Sequence, residues 1–144
     1  MKKTSSLLLP FLLIASIATA QTKINITNVQ AKDGEHSLQG TDATIQLNGA
    51  EGSGNAVILQ SGDVMVKTGA RVSTQNVRRS SLKDSAVNLV MEIAMKVGRE
   101  KDSKRVEKIF YLDQKRTGTI TQKFTFKQGI NVRTITLTFN VEVE

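Results

Sequence analysis

The chain has 144 residues, one histidine, no cysteine, no tryptophan and a formal charge of +7. That length suits one domain of ordinary size. The missing cysteines exclude a disulfide scaffold, a thiolate zinc site, a cysteine nucleophile and a cysteine-borne lipid anchor, and a lone histidine excludes a multi-histidine metal centre.

Residues 1–20 read as a secretory signal peptide. Lys2 and Lys3 make a positive start, Leu7 to Ile17 is an apolar run broken by Pro10 and Ser16, and Ala18-Thr19-Ala20 is a small-x-small cleavage site. The run is shorter than the roughly 20 apolar residues a spanning helix needs, and Pro10 counts against a buried helix. The expectation is a bacterial protein exported to the periplasm or cell exterior, with no transmembrane segment after signal removal. Its single domain would cover 21–144, with neither cysteine nor proline, and would depend on packing and sheet hydrogen bonds.

Period two dominates the chain from Gln21 onward. Ile24 and Ile26 alternate, and Val29 and Ala31 resume one residue out of step, as a β-bulge requires. Ala43, Ile45 and Leu47 form the next strand, then Ala56–Gln60, Val64–Lys67 and Arg71–Val77. Val87, Leu89, Met91, Ile93, Met95 and Val97 alternate without a break. The same stretch also fits a helical spacing through Leu82, Ala86, Leu89, Ile93 and Val97, with Asp84 at its start and Gly98 at its end. A strand is preferred for its alternation and valines, and the alternative is an α+β fold with a helix at 82–97. Val106–Leu112 is the next strand. Ile120, Phe124 and Phe126 define another, and Ile135, Leu137, Phe139, Val141 and Val143 the last.

Turn signals separate them: Asp33-Gly34, Asn48-Gly49, Gly52-Ser53-Gly54-Asn55, Ser61-Gly62-Asp63, Thr68-Gly69, Gly98 and Gln128-Gly129. Roughly seven to nine short strands spaced by turns describe a mainly β protein, an antiparallel β-sandwich. Gln46-Leu47-Asn48-Gly49 followed by Gly54-Asn55-Ala56-Val57-Ile58-Leu59-Gln60 resembles one unit of curli-type fibre subunits, which repeat that unit several times. Lys127-Gln128-Gly129 leading into a long Thr-rich strand resembles the last hairpin of immunoglobulin-like bacterial surface modules, which implies an immunoglobulin-like sandwich. The terminal strand Asn131–Glu144 reads as central, with use as a sheet edge the alternative.

The charge is uneven. Without Lys2 and Lys3 the net charge falls from +7 to +5, and fifteen of the basic side chains lie within 71–133 against six acidic ones. Arg78-Arg79 occupies a polar link, and Lys96, Arg99, Lys101, Lys104, Arg105 and Lys108 crowd 96–108, where Gly98–Arg105 reads as an exposed hairpin loop. Arg78, Arg79, Lys96, Arg99, Lys104 and Arg105 are the candidate anion- or partner-binding residues. Specific nucleic-acid binding is not expected, because the few aromatics fall on core positions.

Catalytic motifs are missing. There is no Gly-x-Ser-x-Gly elbow, Gly52-Ser53-Gly54 lacks the lysine of a phosphate loop, and Asp33, Glu35 and His36 read as a polar turn. A carboxylate-based hydrolase would have to draw on Asp63, Glu92, Glu107 and Asp113. The sequence therefore predicts no enzyme, no cofactor and no metal. It predicts a non-catalytic binding or assembly module of the cell envelope. That module would contact a protein partner through sheet edges or loops, with oligomers formed through edge strands. The alternative is a protein that binds an acidic polymer or lipopolysaccharide through a basic loop surface.

Overall fold

A strand that is apolar at every second residue buries one face and leaves the other to water, so several of them are stable only when two such faces meet. The structure, a computed structural model, describes residues 21–48, 52–79, 82–111 and 115–144. The signal-like segment 1–20, the Gly49 turn, Ser80, Ser81 and Leu112 lie outside these residues. The elements are β1 (Gln21–Asp33), β2 (His36–Gln39), β3 (Ala43–Asn48), β4 (Ser53–Ser61), β5 (Val64–Arg79), β6 (Leu82–Val97), β7 (Glu100–Tyr111), β8 (Thr117–Gln128) and β9 (Asn131–Val143).

They form two antiparallel sheets packed face to face. One runs β4-β5-β6-β7. In the other, β1 lies between β9 and the short strands β2 and β3, and β8 is the far edge. Among the described residues there is no helix. The core is one cluster fed by both sheets: Met91, Ile93 and Met95 of β6 and Phe124, Leu137 and Phe139 of β8 and β9 are fully buried. The mainly β sandwich is thus present with nine strands. Its likeness to an immunoglobulin domain stops at the two packed sheets. From β4 to β7 neighbours in the chain are neighbours in space, and so are β8 and β9, a meander rather than a Greek key.

Residues 82–97 are the strand preferred from the sequence, β6, and not the helical alternative: all six alternating residues from Val87 to Val97 are at most 5% exposed, and a helix would have turned half of them away from the core. Three other local expectations are corrected. Thr68-Gly69 is no turn. Thr68 points inward with no exposure, so the two short runs beside it join into β5. The exposed loop expected at 98–105 shrinks to two residues, because β7 begins at Glu100. β2 is an addition to the expected strands, having only Leu38 as an apolar residue. β9 is central, paired with β1 and β8 along its length.

Four hairpins close the same end of the sandwich. Each has a two-residue loop that starts with a left-handed glycine: Gly34-Glu35, Gly62-Asp63, Gly98-Arg99 and Gly129-Ile130, with glycine φ of 63°, 58°, 59° and 67°. Positive φ at the first loop position alone is the type II′ arrangement, whose twist matches the flanking strands.

The open side between β2 and β3 is closed by backbone. The bulge anticipated in β1 lies between Thr27 and Gln30, with Asn28 at φ 53°. A second shift interrupts β4 between Val57 and Leu59. Each frees a carbonyl. Gly40 N–H donates to Val29 O at 2.8 Å, and Thr41 N–H donates to Ile58 O at 2.9 Å. A methyl group on Gly40 would lie 2.3 Å from Ile58 O, so only glycine fits between the sheets there.

Candidate anion-binding face

Alternation that sends Val64, Val66 and the β6 series inward sends Met65, Lys67, Gly69 and Arg71 of β5 outward. With them go Val90, Glu92, Ala94 and Lys96 of β6. Antiparallel register then fixes the neighbours across strands. Lys96 faces Lys101, Lys67 faces Ala94, Glu92 faces Arg105 and Val90 faces Glu107. The outer face of the four-stranded sheet therefore carries Lys67, Arg71, Lys96, Lys101 and Arg105 against Glu92 and Glu107.

At the turn end of this face lies a depression of about 290 Å³, lined by Met65, Lys67, Ala94, Lys96, Arg99 and Lys101. Four cations surround an apolar floor, and among the described residues no acid lines it. None of the four forms an ion pair among the described residues. Like charges directly opposite on neighbouring strands destabilise a sheet. Lys96 and Lys101 are such a pair, and no acid in the lining offsets them.

Further along the same face the charges are balanced. A depression of about 410 Å³ is lined in part by Gly69, Arg71, Glu92 and Arg105, its depth owed to the missing side chain of Gly69. Arg105 reaches Glu107 at 2.9 Å and Glu92 at 3.9 Å. The adjoining hollow, of about 420 Å³, holds Arg71, Asn88, Arg105 and Glu107. There Asn88 Oδ1 has no hydrogen-bond partner among the described residues.

The six basic residues singled out in the sequence separate into groups. Lys96 and Arg99 come together in the first depression. Arg105 sits in the balanced part of the face. Lys104 belongs to the inward side of β7, opposite Ile93, and pairs with Asp102 at 3.8 Å. Arg78 and Arg79 stand at the far end of β5, in register with Lys83 and Leu82. Lys67 escapes sequence reading, since only the β5–β6 register brings it beside Ala94. The alternation of Val64 and Val66 with Met65 and Lys67 is the signal that could have placed it on the outer face.

The acids considered for hydrolysis do not converge. Glu92 and Glu107 flank Arg105, whereas Asp63 lies in the β4–β5 turn and is held by Arg133. Asp113 lies outside the described residues. Arg133 also takes Asp33 in a bidentate grip, with Nε 3.0 Å from one carboxylate oxygen. This ties β9 and β1 to the turn of the opposite sheet. The hydrogen bond from Arg133 holds the Asp63 carboxyl below the usual carboxylate range. Both carboxylates, Asp33 first, raise the affinity of the guanidinium for its proton.

No protein-family model matches the chain, no curated protein matches it, and no solved structure matches it.

Proposed function

We propose that the protein is a non-catalytic binding module of the bacterial cell envelope and that it holds an anionic partner on the outer face of its four-stranded sheet. The observation that carries this reading is the depression shared by Lys67, Lys96, Arg99 and Lys101 with no acid in its lining. Unpaired cations gathered around a hollow lower the energy of an incoming oxyanion, and an arginine among them adds a planar, bidentate fork. The signal-like residues 1–20 support an envelope location, periplasmic or external.

Binding to polyphosphate, followed by isothermal calorimetry over a salt series, tests the reading. Affinity should fall steeply with salt, and Lys96→Gln with Lys101→Gln should weaken it by about tenfold or more while leaving the fold intact. Unchanged affinity in that double variant would remove the site from consideration.

A protein partner added at a sheet edge is the second reading, and β8 favours it. Its inward residues, Gly118, Ile120, Gln122, Phe124 and Phe126, include no charge, and β8 contains no proline. Such a complex would resist salt, which separates it from the first reading.

A further inference from the structure

We propose that the turn end of the sandwich docks on an anionic membrane surface, with Ile130 inserted among the lipids and a headgroup phosphate held by Lys96, Arg99 and Lys101. This rests on the oxyanion-binding reading and names the source of the oxyanion.

The first observation is an internal comparison of the four hairpin tips. The second loop residue is Glu35, Asp63 and Arg99 in three of them and Ile130 in the fourth. Polar residues suit that position after glycine. An isoleucine offers the turn nothing, and Ile130 is 100% exposed. Val132, two residues on, is 62% exposed beside Lys127. A residue that breaks a local rule without a folding gain marks function.

The second observation is that this tip and the basic depression belong to one rigid end. Gly98 N–H donates to Asp63 O at 2.9 Å, and Arg133, close after the Ile130 tip, donates to Asp63 Oδ2 at 2.8 Å. Asp63 thus joins the Arg99 turn of one sheet to the Ile130 turn of the other. Arg133 offsets one of the two charges of Asp33 and Asp63, so among the described residues that residual charge, Glu35 and Glu100 stand against Lys67, Lys96, Arg99, Lys101 and Lys127, and the end stays positive. An exposed apolar tip beside unpaired cations is complementary to an anionic bilayer, where each basic side chain adds to the attraction and a buried apolar side chain anchors it. A soluble polyanion would satisfy the cations but give Ile130 no apolar medium to enter.

The test is co-sedimentation of the protein, purified in its natural form, with vesicles of phosphatidylethanolamine alone or with added phosphatidylglycerol. Polyphosphate binding is measured in parallel. Binding is expected only with phosphatidylglycerol. Ile130→Ser should weaken it about tenfold, the loss of one buried isoleucine, and Lys96→Gln with Lys101→Gln about thirtyfold. Lys23→Gln, at the opposite end, should change nothing. Ile130→Ser suits the turn, so circular dichroism should show an intact fold. Polyphosphate binding without vesicle binding, or vesicle binding indifferent to Ile130→Ser, would overturn membrane docking and leave the oxyanion site standing. If the double lysine variant binds both probes as the natural protein does, both readings fail.

Discussion

Arg133 occupies an inward position one step beyond Ile135 on the same face of β9, where an apolar side chain would meet the mouth of the sandwich. It bridges Asp33 and Asp63, 100 and 70 residues away in the chain. Replacing it with methionine leaves two acids facing each other at the rim, and should lower stability by about 2 kcal/mol in urea denaturation. The sign of the pH effect comes from Asp63. Its folded pKa lies below the unfolded value near 4, so its contribution is complete above about pH 5 and fades as pH falls through the folded value. The difference in melting temperature between the natural protein and Arg133→Met should therefore shrink in acid. A difference that stayed constant down to about pH 3 would contradict the clamp. Gly98→Ala probes a different residue-scale constraint, the left-handed backbone of a II′ turn. It should cost about 1–2 kcal/mol, because a Cβ crowds the following carbonyl in that conformation. None of the Arg133 contacts was legible in the sequence, since a lone arginine after a turn carries no mark of its partners. The turn glycines were legible, because a glycine set between two alternating runs has few other uses.

Strands were legible in proportion to how fully their alternate residues are buried. β6, β8 and β9 alternate clearly, and the core absorbs their large inward side chains. β7 does not obey this rule. Its inward positions include Asp102, Lys104 and Lys108 opposite Met95, Ile93 and Leu89, and the result in the sequence is a charged stretch that reads as a loop. The physical reason is that β7 is an edge. Inward-pointing charges at an edge prevent a further strand from adding. Lys108 also lies over Gly118 of β8, where a methyl group would come within 3.1 Å of its ammonium. Lys104→Val with Lys108→Val should thus give a protein that self-associates in sedimentation velocity while the single-domain fold persists. A double variant that stays monomeric at high concentration would show that the edge needs no such protection. The basic depression was half legible. Lys96 and Arg99 were within reach of sequence reasoning, but Lys67 enters only through strand register, which alternation does not fix.

At the scale of the whole molecule, the β5–β6 hairpin outruns its neighbours. Among the described residues β4 ends its pairing at Arg71 and β7 at Ala86, and Asn76–Arg79 and Leu82–Ser85 pair only with each other. Their amides should exchange with solvent faster than those from Val64 to Arg71, as hydrogen exchange read by mass spectrometry would show. Equal protection along β5 would mean that the projecting end is covered. Arg78 and Arg79 sit on this projection, well away from the turn end, which is why a single basic surface could not form from all six expected residues.

The central place of β1 has a consequence for how the chain is delivered. β1 is made well before β9, yet β9 is its long neighbour. The meander from β4 to β7 can form early from local hairpins, but the second sheet has no centre until β9 is made. A chain ending at Gln128 should remain without cooperative unfolding, and adding β9 in trans as a peptide should restore it. Strand order thus acts as a timing device. A chain made from its N-terminus keeps its second sheet open until β9 is available.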